Sequence, residues 1–319
     1  MKVLFTGVGS IGTRHVGNLT KVCSEKGIDL TVDVMRYSDR VLPDELKKSV
    51  RKEIRNTDEI DNDYDIVFIT DETKTHFDNI ISLKNKCKHM FIEKPIFDNA
   101  DYDLDKIRPE NSDSVYYVAA PIRFTEYYKC IKEIVDNNKV HSARIIFSSY
   151  MPNWQKGRDY TKSFRCFTER GGGVDIDSLH DIDYMTAVFG KPTDVKRIAG
   201  HYSNLKMDAC DIATYLFDYD DKIVEVHLDY FGRVPNRRVE LFAEEDVFVI
   251  DFNKKTVVKQ LQNEEFSFAP DDNFYYNEMN YFVDLISSNG TLKNINTIDN
   301  AFQSLKLAKG IIYKDIERS

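Results

Sequence analysis

The sequence has no apolar run approaching the ~18 residues that span a bilayer, so no membrane-embedded segment is expected. It has no lysine- or arginine-rich block and carries a formal net charge of −9. That speaks against nucleic acid as a partner, although a local cluster in an acidic protein can still hold a small anion. The five cysteines, Cys23, Cys87, Cys130, Cys166 and Cys210, are odd in number and widely spread. No Cys-x-x-Cys or Cys/His ligand spacing occurs, so neither a disulfide framework nor a metal centre is expected, and free thiols in a reducing cytoplasm are the default. There is no internal repeat and no low-complexity stretch, and the N-terminus enters a strand pattern directly, without the features of a signal peptide. What remains is a chain of 319 residues, 42% hydrophobic and 30% charged, long enough for two ordinary domains with separate cores.

The most informative stretch is Gly7-Val8-Gly9-Ser10-Ile11-Gly12. The apolar run Lys2–Thr6 precedes it, and Val16, Leu19 and Cys23 follow at helical spacing. Strand, Gly-x-Gly-x-x-Gly and helix in that order form a dinucleotide-binding pattern. Gly7 permits the tight turn, Gly9 lets a pyrophosphate approach the backbone, and Gly12 lets the helix pack close to the strand. The helix start, with Ser10 and Ile11, offers N–H groups and a positive dipole end to the phosphates.

Further strands are expected at 30–35, 65–70, 89–92 and 115–119, alternating with helical patterns around 77–84 and 102–107; residues 41–62 read as a helix and loop over one sheet edge. Such alternation implies right-handed crossovers and a doubly wound parallel sheet over residues 1–120. Residues 121–319 differ. A helix at 127–135, a strand at 143–150 and a polar aromatic loop to about 170 precede a glycine-led helix that stops at Gly190 and Pro192. An antiparallel meander with one face covered is expected from 195 to 262. Two helices close the chain. The last carries Ile298, Phe302, Leu305, Ala308 and Ile312 on one stripe behind Thr297 as N-cap, and packing back on the first domain is one place for it. The fold class is therefore α/β, a doubly wound sheet followed by a second domain built on an open, mostly antiparallel sheet.

Candidate chemistry follows the strand ends. Arg36 and Ser38 leave the second strand where an acidic residue would grip the ribose of NAD; a guanidinium and a hydroxyl suit the 2′-phosphate of NADP instead, while Asp33 lies inside the strand. Asp71 and His76, after strand 65–70, and Glu93-Lys94-Pro95, after strand 89–92, are further cofactor candidates. Lys94 can also hold a substrate hydroxyl and favour its deprotonation. In Gly171-Gly172-Gly173-Val174-Asp175-Ile176-Asp177-Ser178-Leu179-His180, Asp177 and His180 stand three apart, which on one helix places them on one face. A carboxylate there can orient an imidazole poised for acid–base work. Trp154, the one tryptophan of the chain, lies with Arg158, Tyr160 and Arg165 in a loop suited to gripping a polyhydroxylated or anionic substrate, and Arg123 is a further candidate.

Taken together, the glycine motif, Glu93-Lys94-Pro95, Arg123-Phe124 and the glycine-led helix with Asp177 and His180 resemble the Gfo/Idh/MocA oxidoreductases over nearly the whole chain. The resemblance implies a Rossmann domain, a C-terminal domain whose open sheet joins a homodimer or homotetramer, a cis Lys94–Pro95 bond, Lys94 near substrate and nicotinamide, and His180 as acid/base with Asp177 beside it. The loop from Tyr150 to Tyr160 resembles a subgroup associated with bacterial surface sugars. The implied function is transfer of a hydride between NAD(P), with a lean to NADP, and a hydroxyl or keto carbon of a sugar derivative, without a metal. A glycosidase on a tightly held NAD, or a dinucleotide-binding scaffold without turnover, is the alternative.

Overall fold

A computed structural model of the chain describes residues 1–36, 41–154, 157–270 and 273–312. It forms two compact units, Met1–Pro121 with Asn273–Phe302, and Ile122–Asp272 with Gln303–Ser319.

The first unit is built on β1 (Lys2–Phe5), α1 (Ser10–Glu25), β2 (Thr31–Met35), α2 (Asp44–Ser49), β3 (Val50–Ile54), β4 (Tyr64–Ile69), α3 (His76–Leu83), β5 (Cys87–Ile92) and β6 (Tyr116–Val118). The strands form one parallel sheet in the order β3-β2-β1-β4-β5-β6. This order reverses beside β1, and ligands bind outside the carboxyl ends of strands at such a switch point. The apolar runs of β1 and β4 are buried on both faces, with Phe5 stacked on Phe68 at 4.2 Å. Helix α1 lays Gly12, His15, Val16, Leu19, Val22 and Cys23 against the sheet, a stripe at three- and four-residue steps.

Two expectations are corrected here. Residues 41–62 contain, besides a short helix, the edge strand β3, whose Arg-Lys-Glu run hides its strand character. Its charges have partners: Arg51 pairs with Asp33, and Lys52 donates to the Glu59 carbonyl at 2.6 Å. The helix expected at 102–107 is a 3-10 turn, Leu104–Lys106.

The second unit contains α4 (Glu126–Asn137), β7 (Val140–Ser148), α5 (Val174–Asp177), α6 (Leu179–Phe189), β8 (Asp194–Gly200), β9 (Ile212–Asp218), β10 (Ile223–Asp229), β11 (Asn236–Ala243), β12 (Val247–Asp251), β13 (Thr256–Lys259) and β14 (Glu264–Ser267). Its eight strands run β14-β13-β12-β11-β7-β10-β9-β8. The sheet is antiparallel except for β7 with β10. The expected meander is thus opened in the middle, where β7 inserts between β10 and β11. Alternation decides the faces: Tyr215, Phe217, Val224, Val226, Val239 and Leu241 are fully buried, while Ile198, Leu216 and Ile223 of the other face are 71%, 48% and 50% exposed.

Helix α7 (Phe274–Ser287) belongs to the first unit. Its Glu278 is buried and accepts hydrogen bonds from the Tyr117 hydroxyl at 2.9 Å and the Ala120 N–H at 2.6 Å. Helix α8 (Ile298–Ala308) has Thr297 accepting from the Asn300 N–H at 3.3 Å, the cap read from sequence. Within the first unit its Asp299 takes a fork from Arg108 and Phe302 packs on Phe97; within the second, the Tyr215 hydroxyl donates to the Ala308 carbonyl at 2.8 Å.

Candidate active site

The glycine loop divides its labour. A methyl group on Gly12 would sit 2.1 Å from the Gly7 carbonyl oxygen, and one on Gly7 would sit 2.9 Å from Asp71 Cα, so both are demanded by the protein's own packing. A methyl group on Gly9 would meet nothing within 4 Å. That open approach, exposed at the start of the 16-residue helix α1 with Ser10 beside it and Ile11 half-buried, fits a pyrophosphate on backbone N–H groups. Asp71 works within the unit: it accepts from the Thr6 hydroxyl at 2.7 Å and from Thr75 and Asn79, tying the end of β1 to the start of α3. His76 is buried, with Nδ1 3.2 Å from the Ile96 carbonyl oxygen.

At the end of β5, Glu93 is buried and the Lys94–Pro95 bond is cis. The Glu93 carboxylate accepts from His15 Nε2 at 2.5 Å and from the Lys94 backbone N–H at 3.1 Å. Burial alone would push this carboxyl up; the hydrogen bond and charge of His15, then Lys94, hold it below the usual range. His15 was not singled out in the sequence reading. The signal was available: it is a polar residue on the apolar stripe of α1, and a fully buried imidazole needs a partner. It links the helix that carries the glycine loop to the backbone that carries Lys94.

At the end of β2 the arrangement differs from a free basic loop. Asp33 is fully buried and spent on Arg51 and the Tyr64 hydroxyl, 2.8 Å away. Arg36 is buried too, and its Nη1 donates to Glu53 of β3 at 2.8 Å. Ser38 lies outside the described residues.

In the second unit, Asp177 and His180 do not share a helix. Asp177 ends α5, Ser178 turns the chain at φ −93° and ψ 25°, and half-buried His180 is the second residue of α6. Asp177 accepts from Arg165 Nε at 2.6 Å and from the Tyr230 hydroxyl at 3.2 Å. Burial, with Asp177 adding to it, holds the Tyr230 phenol far above its usual range, so it remains a donor. Trp154 joins this group, edge-on to Tyr230 with ring centroids 5.4 Å apart, its indole N–H donating to Ser149 at 2.7 Å, and Arg165 lies over its ring at 5.6 Å. Trp154, Arg165, Asp177 and Tyr230 therefore form one cluster, of which Tyr230 was missed because a strand-end aromatic reads as core.

The other candidates are placed elsewhere. Gly172 and Gly173 serve the chain itself: a methyl group on Gly172 would sit 2.6 Å from the carbonyl oxygens of Phe164 and Arg165, and Gly173 takes φ +117°. Arg123 makes a fork with Asp183 of α6, at 2.8 and 2.7 Å, with little of either side chain exposed. Tyr160 accepts from the Lys206 N–H at 3.1 Å, and Arg158 is exposed. Among the described residues no cluster of three or more His, Cys, Asp or Glu could hold a metal, and no helix is long and apolar enough to cross a membrane.

Residues 1–107 match the family described as the Gfo/Idh/MocA oxidoreductase family, NAD-binding Rossmann fold. Myo-inositol 2-dehydrogenase of Thermotoga maritima is 26% identical over 195 residues, 60% of this chain and 55% of that protein. The chain spans about half the length of the curated relatives it matches. Among solved structures, levoglucosan dehydrogenase in complex with NADH and levoglucosan superposes with a TM-score of 0.81 at 14% identity, covering 98% of this chain and 96% of that one. The WlbA dehydrogenase of Bordetella pertussis, in complex with NADH and UDP-GlcNAcA, gives 0.77 at 14% identity over 97% and 94%. At such identities the likeness is one of fold, and it extends over both units. With the glycine loop and the Glu-Lys-Pro turn, residues 1–107 are thus similar to the NAD-binding Rossmann domain of the Gfo/Idh/MocA oxidoreductase family, the part of the chain that the family matches.

Proposed function

We propose that the protein is an NAD(P)-dependent oxidoreductase acting on a hydroxyl or keto carbon of a sugar or sugar derivative. The observation that carries the proposal is the open approach at Gly9, at the carboxyl end of β1 in a 3-2-1-4-5-6 parallel sheet. Gly7, Gly9, Ser10, Ile11 and Gly12 would hold the pyrophosphate, with Asp71 and His76 shaping the neighbouring loop. A bound nicotinamide supplies hydride acceptance and donation. Lys94 holds the substrate oxygen and stabilises the charge that develops there. His180 moves the proton of that oxygen. Asp177 fixes Arg165, and with Trp154 they form the surface on which a polyol is oriented; Arg158 and Tyr160 are the further substrate contacts of the same loop. Arg123, gripped by Asp183, supports α6.

The proteins named above are a myo-inositol 2-dehydrogenase, a levoglucosan dehydrogenase and a dehydrogenase crystallised with UDP-GlcNAcA, which supports the substrate class. The open sheet face bearing Ile198, Leu216 and Ile223 supports a homodimer or homotetramer, and five free thiols accord with a cytoplasmic setting. The test is substitution. Lys94→Ala and His180→Ala should each lose turnover while dinucleotide affinity stays within a few-fold, and unchanged turnover in both would sink the assignment.

A further inference from the structure

Arg36 alone would favour NADP, but the structure gives its guanidinium an owner. Arg36 Nη1 lies 2.8 Å from Glu53 Oε2, with 7% of the Arg36 side chain and 38% of the Glu53 side chain exposed. Arg55 Nη2 is 3.9 Å from the same oxygen. The Arg36 backbone is fixed as well, its N–H donating to the Ile54 carbonyl at 2.9 Å, so the pair is set by the β2–β3 ladder rather than by a flexible loop. Asp33, the other carboxylate of this strand end, is consumed by Arg51 and Tyr64. Among the described residues, Glu53 is therefore a partly exposed carboxylate beside the position where a Rossmann sheet presents its ribose-reading residue.

We propose that Glu53 selects the cofactor: it holds Arg36 and places a negative charge where a 2′-phosphate would have to come, so that the chain takes NAD in preference to NADP. This rests on the dinucleotide reading above. A 2′-phosphate arriving at Arg36 would meet the Glu53 carboxylate at the guanidinium it needs, and like charges at contact distance oppose binding. A ribose 2′-hydroxyl carries no such charge, and a carboxylate can accept its hydrogen bond. With Glu53 made neutral, Arg36 and Arg55 become a pair of cations suited to a phosphate.

The experiment is equilibrium binding of NAD+ and of NADP+, each alone, to the full chain by calorimetry. Wild type, Glu53→Gln and Glu53→Ser are compared, with thermal melting of each variant. The expected result is NAD+ preference in wild type and a rise of roughly tenfold or more in the NADP+/NAD+ affinity ratio in both variants. An unchanged ratio in folded variants, or a wild type that prefers NADP+, overturns the assignment of Glu53 while leaving the dinucleotide reading intact. Failure of wild type to bind either dinucleotide overturns both.

Discussion

The link from His15 to Glu93 gives a demanding prediction. Both side chains are buried, and the 2.5 Å contact supplies the carboxylate with a partner beyond the Lys94 N–H. Truncation in His15→Ala leaves a buried carboxylate with one backbone donor and removes an imidazole from the apolar stripe of α1. Breaking a buried pair by deleting one member costs about 3–5 kcal/mol. For a unit of this size each kcal/mol lowers Tm by roughly 2–4 °C, so a loss of roughly 6–20 °C is expected. The pH dependence carries the sign. Glu93 is held below its usual value, so its contribution is present above the unfolded value of about 4.3 and disappears as pH falls through the lower folded value. In His15→Ala burial raises the folded value above the unfolded one and the sign reverses: the deficit against wild type is greatest at neutral pH and shrinks as acid protonates the stranded carboxylate. Calorimetric melting between acid and neutral pH reads both effects. The double variant His15→Ala/Glu93→Gln should regain at least half of the lost stability, because the stranded charge is gone. A single variant that melts within about 1 °C of wild type at neutral pH would refute the reasoning.

Other predictions follow from single contacts. Gly9→Ala should melt like wild type yet lose dinucleotide affinity roughly tenfold or more, because its methyl group enters the open approach; Gly12→Ala should lose about 1–3 kcal/mol of stability with no ligand present. Asp183→Asn should cost about 1–3 kcal/mol by removing the charge that faces the buried Arg123 guanidinium, read by denaturant unfolding, while the Michaelis constant for substrate changes little. Lys94→Ala and His180→Ala should each lower kcat by about 10²–10⁴-fold in steady-state assays.

The parts of the fold that were legible in the sequence are those where local pattern and burial agree. Ile66, Val67, Phe68 and Ile69 form an unbroken apolar run because β4 is covered on both faces, and Ile298, Phe302, Leu305 and Ala308 keep their stripe on α8 because its cap and its buried side point the same way, while Ile312 lies beyond the helix end. What escaped was decided by partners distant in sequence. The run Val50–Ile54 looks like a charged helix or loop, since an edge strand needs only one neighbour and its Arg, Lys and Glu find theirs on β2 and in the following turn. Arg36 reads as an available cation until Glu53, 17 residues away, is brought beside it. Asp177 and His180 obey helical spacing in the sequence, but Ser178 breaks the helix between them. The insertion of β7 between β10 and β11 is a matter of register across 80 residues, which periodicity does not carry.

The most direct test of the central claim is nicotinamide absorbance, followed while wild-type protein meets polyols, free sugars and nucleotide-linked sugars, with NAD+ and NADP+ in parallel. The account predicts a saturable signal with at least one member of the panel, absent in Lys94→Ala and His180→Ala although both still bind the dinucleotide. A signal that survives both substitutions, or no signal anywhere while aryl glycosides are cleaved, would contradict it.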